Sequence, residues 1–459
     1  MASRTRGKGQ QGSPSKSSGR MQATNSTPQR PRVVVVLGAG ADRVYGIPMV
    51  PTLLSELANW AQIDGKPVSA VLRKQLPHLR FTFDKLAGDS TDSFLSNLFS
   101  GDVDQVKALR TAIKKLKAHV DYTSVGEVVE TLCNMAEQNL LAGPQLAALS
   151  GLIGTAADMG DAEPLLDPRG ISLTELPMSA IRSTFHRALM EGPALTDDER
   201  SALELFIASV SNIEQLLSHF FTLFCAGRPQ DQKTYLYIVW MLWAYLRTKS
   251  SGLAPRDKAI YAQLPRLASS VITFNYTNFF LAPTLSHVYH FHGNLDQVLR
   301  MDDRRLVDIK GTGTNSPHEL ASFAESLRLD VTESPHLDLP AIVPPISFKP
   351  LMSRQQLRTW ATADDLLANA DVILVVGYSF AAADEHFNDL LRNSKGRVLV
   401  VNPSLESTVQ AASLILGIDS TDLSTKVIAG HDAMTSRRLT VIGATAEDVG
   451  PELIGACLE

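Results

Sequence analysis

Residues 33–41 read VVVVLGAGA. Five apolar residues, four of them β-branched, run without a polar interruption into a Gly-Ala-Gly turn. A strand with one wet face alternates apolar and polar residues, whereas a run that does not alternate belongs to a strand covered on both faces. The stretch therefore predicts a central parallel strand feeding a helix. That helix is expected over 51–62, where Leu53, Leu54, Leu57, Ala58 and Ala61 recur at helical spacing.

Comparable strings return from residue 269. SSVITF (269–274) runs into Asn275, SHVYHF (286–291) into His292, and PAIVPPI (340–346) is a run broken by prolines. DVILVVGYS (371–379) and RVLVVNP (397–403) end in small polar residues, and TKVIAG (425–430) is a candidate last strand. A helical pattern at 385–392 lies between DVILVVGYS and RVLVVNP. Strands alternating with helices imply an α/β fold, a Rossmann-like open parallel sheet with helices on both faces. In such sheets ligands bind beyond the carboxyl ends of strands. The polar clusters fall there: Gly38–Asp42, Asn275, His292, Gly377–Ser379 and Asn402.

Residues 66–268 read differently. Apolar periodicity predicts helices near 105–119, 125–141, 145–158, 177–190, 197–225 and 233–248, with few strand signals. Two hundred residues exceed any connecting loop, so a large, mainly helical insertion interrupts the sheet. The expected organisation is a disordered basic tail at 1–31, the sheet domain at 32–65 and 269–430, the insertion at 66–268 and a C-terminal extension at 431–459.

Charge separates the tail from the rest. Residues 1–32 hold seven basic side chains and no acid. With those seven removed from 43 basic residues, 36 stand against 48 acidic ones, a balance of −12. Bulk charge thus excludes a nucleic-acid binder; a nucleic-acid role is left open only for the tail or a local patch. The tail, rich in Ser, Gly, Gln, Thr and Pro, has too little apolar surface to offset ordering entropy. Met21 lies within it and is a candidate translation start. Three scattered cysteines, Cys133, Cys225 and Cys457, form no Cys-x-x-Cys pair, which argues against a zinc knuckle or a disulfide framework. The longest apolar run, residues 235–246, falls short of the roughly 18 residues a membrane span needs and suits a buried helix. No apolar stretch of a secretory signal follows the basic start. A cytoplasmic chain without membrane contact is expected.

Each cluster has a bland reading beside a chemical one. Gly38 and Gly40 let backbone amides approach a diphosphate, but the third glycine of the dinucleotide fingerprint falls at Arg43, and an ordinary tight turn also fits. Asn275 offers a donor and an acceptor at a strand end, or it caps the next helix. His292 before Gly293 suits a general base at neutral pH. His290 shares its strand face and reads as structural, since no third metal ligand stands at readable spacing. Asn402 is placed to reach a ribose edge.

Taken in order, Gly38-Ala39-Gly40 with Gly46-Ile47-Pro48, Asn275-Tyr276, His292-Gly293, Gly377-Tyr378-Ser379 and Val401-Asn402-Pro403 resemble the sirtuin-like NAD-binding superfamily. More narrowly, they resemble bacterial anti-phage defence NADases and the related abortive-infection proteins. The motifs cover about 30–60 and 269–405. The resemblance implies that Gly38, Ala39 and Gly40 cradle the NAD+ diphosphate, with Asp42 and Tyr276 among the cofactor-contacting residues. It implies that Asn275 orients the nicotinamide ribose or a water and that His292 is the catalytic base. Gly377 and Ser379 would contact phosphate or ribose, and Asn402 the adenosine ribose.

Three departures count against a protein deacylase. Thr277 stands where an Asp is usual, Met49-Val50-Pro51 replace Asp-Phe-Arg, and the four-cysteine zinc module is missing. The expectation is an NAD+ glycohydrolase that depletes NAD+ in abortive infection, with NAD+ as substrate and no metal or zinc. The resemblance implies a homo-oligomer and a partner such as a hexameric translocase-type ATPase. A non-catalytic NAD or nucleotide sensor that regulates a partner ATPase or nuclease is the alternative.

Overall fold

The computed structural model describes residues 31–83, 103–119, 193–200, 213–251, 260–279, 287–309, 316–332, 336–346 and 349–458, with Glu130, Ala202, Leu203 and Leu253. The tail at 1–30 and, Glu130 apart, the helices expected at 125–141, 145–158 and 177–190 lie outside the described residues.

The chain opens with β1 (Val33–Leu37), the short α1 (Ala39–Asp42) and a 3-10 turn at Arg43–Tyr45. Then come α2 (Val50–Gln62), α3 (Lys66–Gln75), α4 (Val103–Ala118), α5 (Ile213–Cys225), α6 (Pro229–Ser250) and α7 (Ile260–Leu267). A strand-rich part follows: β2 (Ser270–Thr273), β3 (Val288–His290), β4 (Gly293–Arg300), β5 (Leu306–Asp308), α8 (Pro317–Glu325) and β6 (Asp338–Ile342). The last part runs α9 (Arg354–Ala368), β7 (Val372–Val376), α10 (Glu385–Asn393), β8 (Arg397–Val401) and α11 (Leu405–Leu416). It closes with β9 (Ser424–Ile428), β10 (His431–Thr435), β11 (Leu439–Ile442) and α12 (Pro451–Leu458).

Among the described residues, eight strands form one sheet in the order β3-β2-β1-β7-β8-β11-β10-β9. The six from β3 to β11 are parallel, and β10 and β9 add an antiparallel edge. The unbroken VVVVL run is explained by its position. Val33, Val35 and Leu37 pack on one face with Ile260 and Leu264 of α7 and Leu453 and Ile454 of α12. Val34 and Val36 pack on the other with Leu367 of α9, Phe387 and Leu391 of α10 and Leu416 of α11. This is the α/β sheet with helices on both faces that the sequence predicts.

From β1 the sheet grows both ways, to β2 and β3 on one side and to β7, β8 and β11 on the other. The order reverses between β1 and β7, and in such sheets a ligand crevice is expected beyond the carboxyl ends of the two strands. There the two turns nearly touch. A Cβ on Gly38 would lie 2.4 Å from the Gly377 carbonyl oxygen, and Gly377 itself has φ +65°. Only glycines permit this approach.

Boundaries differ from the expected ones in three places. Residues 431–442 are not an extension, because β11 pairs in parallel with β8 and carries β10 with it. Helix α7, expected within the insertion, packs on the main sheet, whereas Leu53, Leu57, Ala58 and Ala61 of α2 join the helical core. That core is built around α6, apolar on all sides and buried from Thr234 to Arg247, as such a helix must be. The PAIVPPI run is the third difference. Its strand β6 pairs antiparallel with β4 in a separate sheet, β5-β4-β6, set against α6. Main-chain bonding needs fewer donors at this sheet edge, which tolerates prolines. Among the described residues no helix is long and apolar enough to cross a membrane.

Candidate active site

The sheet ladder carries past each strand end and fixes the residues beyond it. Phe274 N–H donates to the Leu37 carbonyl at 2.9 Å, and Phe291 N–H to the Thr273 carbonyl at 2.8 Å. Asn275 and His292 therefore sit at the ends of neighbouring strands, one residue after each of these contacts. The Phe274 ring meets the His292 ring edge-on, with centroids 4.8 Å apart, which locks the two segments side by side. Phe291, Tyr378 and Phe387 complete the aromatic floor around Phe274.

Asn275 is buried. Its Nδ2 donates to the Gly38 carbonyl at 3.0 Å and to Asp42 Oδ1 at 2.8 Å, with the Tyr261 hydroxyl 3.3 Å away. A primary amide has two protons. Both are committed inward, which leaves Oδ1 as the acceptor of this carboxamide. Asp42 is only 1% exposed and also accepts from the hydroxyls of Tyr261 and Thr277. Burial raises its carboxyl from 3.8 to about 6 against the pull of those three donors. Thr277 is thus the partner of a carboxylate delivered by β1 and α1. The Tyr261 hydroxyl is held far above its ordinary range, by burial first and by Asp42 second, so it remains a donor.

His292 is 6% exposed. Its Nε2 lies 3.2 Å from Asp384 Oδ1, and Lys349 Nζ lies 3.0 Å from the same oxygen. Burial lowers the imidazole; Asp384 opposes this and Lys349 adds to it. His292 is therefore neutral at pH 7 and able to accept a proton. For Asp384, burial pushes upward, but His292 and Lys349 outweigh it and hold the carboxyl below its usual value. His290 points elsewhere, its Nδ1 3.2 Å from the Asn275 carbonyl.

The remaining predicted residues divide. Ala39 and Ser379 are exposed at the ends of β1 and β7. The Gly38 and Gly40 amides donate to the carbonyls of Val376 and Gly377, each at 2.9 Å. They tie the two turns together. Asn402 ties β8 to β7, donating from Nδ2 to the Tyr378 carbonyl at 3.2 Å and accepting from Ser404 N–H at 3.0 Å. Tyr276 packs against the helical core and donates its hydroxyl to the Val343 carbonyl at 2.7 Å. Sequence reasoning missed Tyr261, Lys349 and Asp384. Only Lys349 carries a signal there, a lone charge closing an apolar, proline-rich stretch.

No family model matches the chain, and no curated protein matches it. Among solved structures, a Sir2 enzyme studied for its mechanism and regulation is 17% identical, with a TM-score of 0.31 over 47% of this chain and 73% of that one. A Sir2 homologue bound to NAD is 18% identical, with a TM-score of 0.29 over 42% and 75%. A Sir2 homologue variant bound to ADP-ribose is 19% identical, with a TM-score of 0.29 over 41% and 77%. Scores this low do not assign the chain to that family, and what the site can do follows from its own geometry.

Proposed function

We propose that the chain binds NAD+ in the crevice beyond β1 and β7 and hydrolyses it to ADP-ribose and nicotinamide. The observation that carries this reading is the pairing of Asn275 and His292 at adjacent strand ends. One is a carboxamide tied inward by its amide end; the other is a buried neutral imidazole.

The chemistry needs little else. The C1′–N bond breaks with its electron pair going to the nicotinamide ring, which leaves neutral and needs no proton. The ribose passes through an oxocarbenium-like state, as in glycoside cleavage. A water attacks C1′, and its proton passes to His292. Asn275 Oδ1 orients that water or a ribose hydroxyl. Each residue contributes on the order of 10²–10⁴-fold. Ala39 and Ser379 stand exposed where the diphosphate would lie. NAD+ depletion of this kind suits abortive infection against phage. Its restraint in a homo-oligomer, or by a translocase-type ATPase partner, belongs to the same proposal.

Incubation of the purified chain with NAD+, alone and with candidate partners, followed by nicotinamide quantification tests it. Wild type releases nicotinamide, and His292→Ala abolishes release with an unchanged circular dichroism spectrum. Release retained in His292→Ala overturns the mechanism. Tight NAD+ binding by calorimetry with no nicotinamide under any condition replaces the hydrolase with a sensor.

A further inference from the structure

Lys349 and Asp384 bring two more charges to the strand end that carries His292. The Lys349 side chain is 2% exposed and that of Asp384 14%. A buried ammonium is costly without a counter-charge, and Asp384 supplies one at 3.0 Å. The chain also accepts strain to bring Asp384 here. Phe380, a buried residue after β7, takes φ +56°, a left-handed conformation unfavourable for a non-glycine residue. The turn that follows, Ala382–Asp384, delivers the carboxylate to His292.

An ionised carboxylate only accepts hydrogen bonds. Nε2 lies 3.2 Å from Asp384 Oδ1, close but outside hydrogen-bond alignment; a lone pair there would face a negative oxygen, so Nε2 favours N–H. A neutral imidazole has a single ring proton, so Nδ1 keeps the lone pair.

We propose that Asp384, anchored by Lys349, is a positioning residue that fixes His292 as its Nε2–H tautomer and makes Nδ1 the proton acceptor. This is the logic of a base oriented by a third group, and it rests on the hydrolase reading for its catalytic consequence alone. The water proton passes to Nδ1, and the imidazolium formed there is stabilised by Asp384 through Nε2–H. Other titratable groups near the cluster, among the described residues, are Glu385, Tyr276 and Tyr378. The two phenols are kept protonated by burial first and by Asp384 second. His290 is turned to the Asn275 carbonyl.

The two charges act on His292 with opposite signs. Removing the Asp384 anion lowers the imidazole pKa further, and removing the Lys349 cation raises it. The acid limb of nicotinamide release is therefore expected to move down in Asp384→Asn and up in Lys349→Met. Asp384→Asn also loses about 10²-fold or more in kcat with KM within threefold, and Asp384→Glu recovers part of it. A purely structural pair would move both limbs together or neither, and that outcome overturns the proposal.

A second measurement does not need activity. Long-range ¹H–¹⁵N correlation on the full chain labelled in histidine, with His292 identified by its absence in His292→Gln, reads the tautomer directly. Wild type shows Nε2–H, and Asp384→Asn loses that single tautomer. Wild type in the Nδ1–H form, or an unchanged Asp384→Asn spectrum, overturns the proposal. If wild type releases no nicotinamide, the hydrolase reading fails and the spectrum still decides the tautomer.

Discussion

Asn275 donates its carboxamide to the Asp42 carboxylate over 2.8 Å, across 233 positions of sequence. The contact joins the end of β2 to the turn after β1, and it orients the Asn275 carboxamide. Asp42 thus works through Asn275, in a pocket where its own charge is expensive.

That expense is measurable. With the carboxyl raised from 3.8 to about 6, the folded chain binds this proton more tightly than the unfolded chain. Stability therefore falls as pH rises through that window, by about 3 kcal/mol at most for this group, and the loss levels off about one unit above the folded-state value. Asp42→Asn stays neutral and lacks this loss. The stability of Asp42→Asn minus that of wild type, from urea unfolding, should rise between pH 4 and 6.5. A flat difference would show that Asp42 titrates normally.

Tyr261 tests the same pocket from the donor side. Its hydroxyl donates to Asp42, and that bond is one of the three pulling the carboxyl down. Tyr261→Phe removes it with little change in shape. The expected cost is about 1–3 kcal/mol above pH 6, where Asp42 is ionised, and less at pH 4. The Asp42 titration should also move upward. An equal cost at both pH values would mean that packing, not the hydrogen bond, is Tyr261's contribution.

The close approach of β1 and β7 gives a sharper contrast. A Cβ on Gly377 would lie 2.4 Å from Ala41 N and 2.5 Å from the Gly40 carbonyl carbon. Gly46 has a similar φ, +77°, with nothing within 4 Å. Gly46→Ala should cost about 1–2 kcal/mol from conformation alone. Gly377→Ala adds an overlap with backbone that cannot give way, so a loss above about 4 kcal/mol or failure to fold is expected. Thermal midpoints of the two variants decide it, and equal values would refute the contact.

Much of this fold is legible in the sequence because buried parallel strands are unbroken apolar runs. The runs at 33–37, 372–376 and 398–401 are of this kind, and each is followed by a small or polar residue. The antiparallel sheet is not legible. In β4, GNLDQVLR mixes polar residues into a strand covered on one side, and the prolines of PAIVPPI obscure the pairing of β6. Asn275 and His292 stand out because they follow strands directly. Tyr261 and Asp384 do not, since they reach the site through tertiary contacts without local pattern. The Tyr261–Asp42 bond, for example, spans 219 residues.

Trp360 braces the strand end from outside the site. Its ring stacks on Phe291 at 4.4 Å with planes 9° apart, and its Nε1–H donates to the Phe291 carbonyl at 2.9 Å. Phe291 immediately precedes His292, so the stack and the hydrogen bond together fix the backbone that presents the imidazole. Trp360→Phe keeps a ring and loses the donor, for an expected cost of about 1 kcal/mol. Trp360→Ala loses both, for about 3–5 kcal/mol. If His292 is the base, displacing its backbone misaligns it without touching the turns at the ends of β1 and β7. Nicotinamide release by Trp360→Ala, assayed at a temperature where the variant remains folded, should therefore fall in kcat with KM within threefold. An unchanged kcat in a folded Trp360→Ala would mean that Phe274 alone is enough to hold His292 in place.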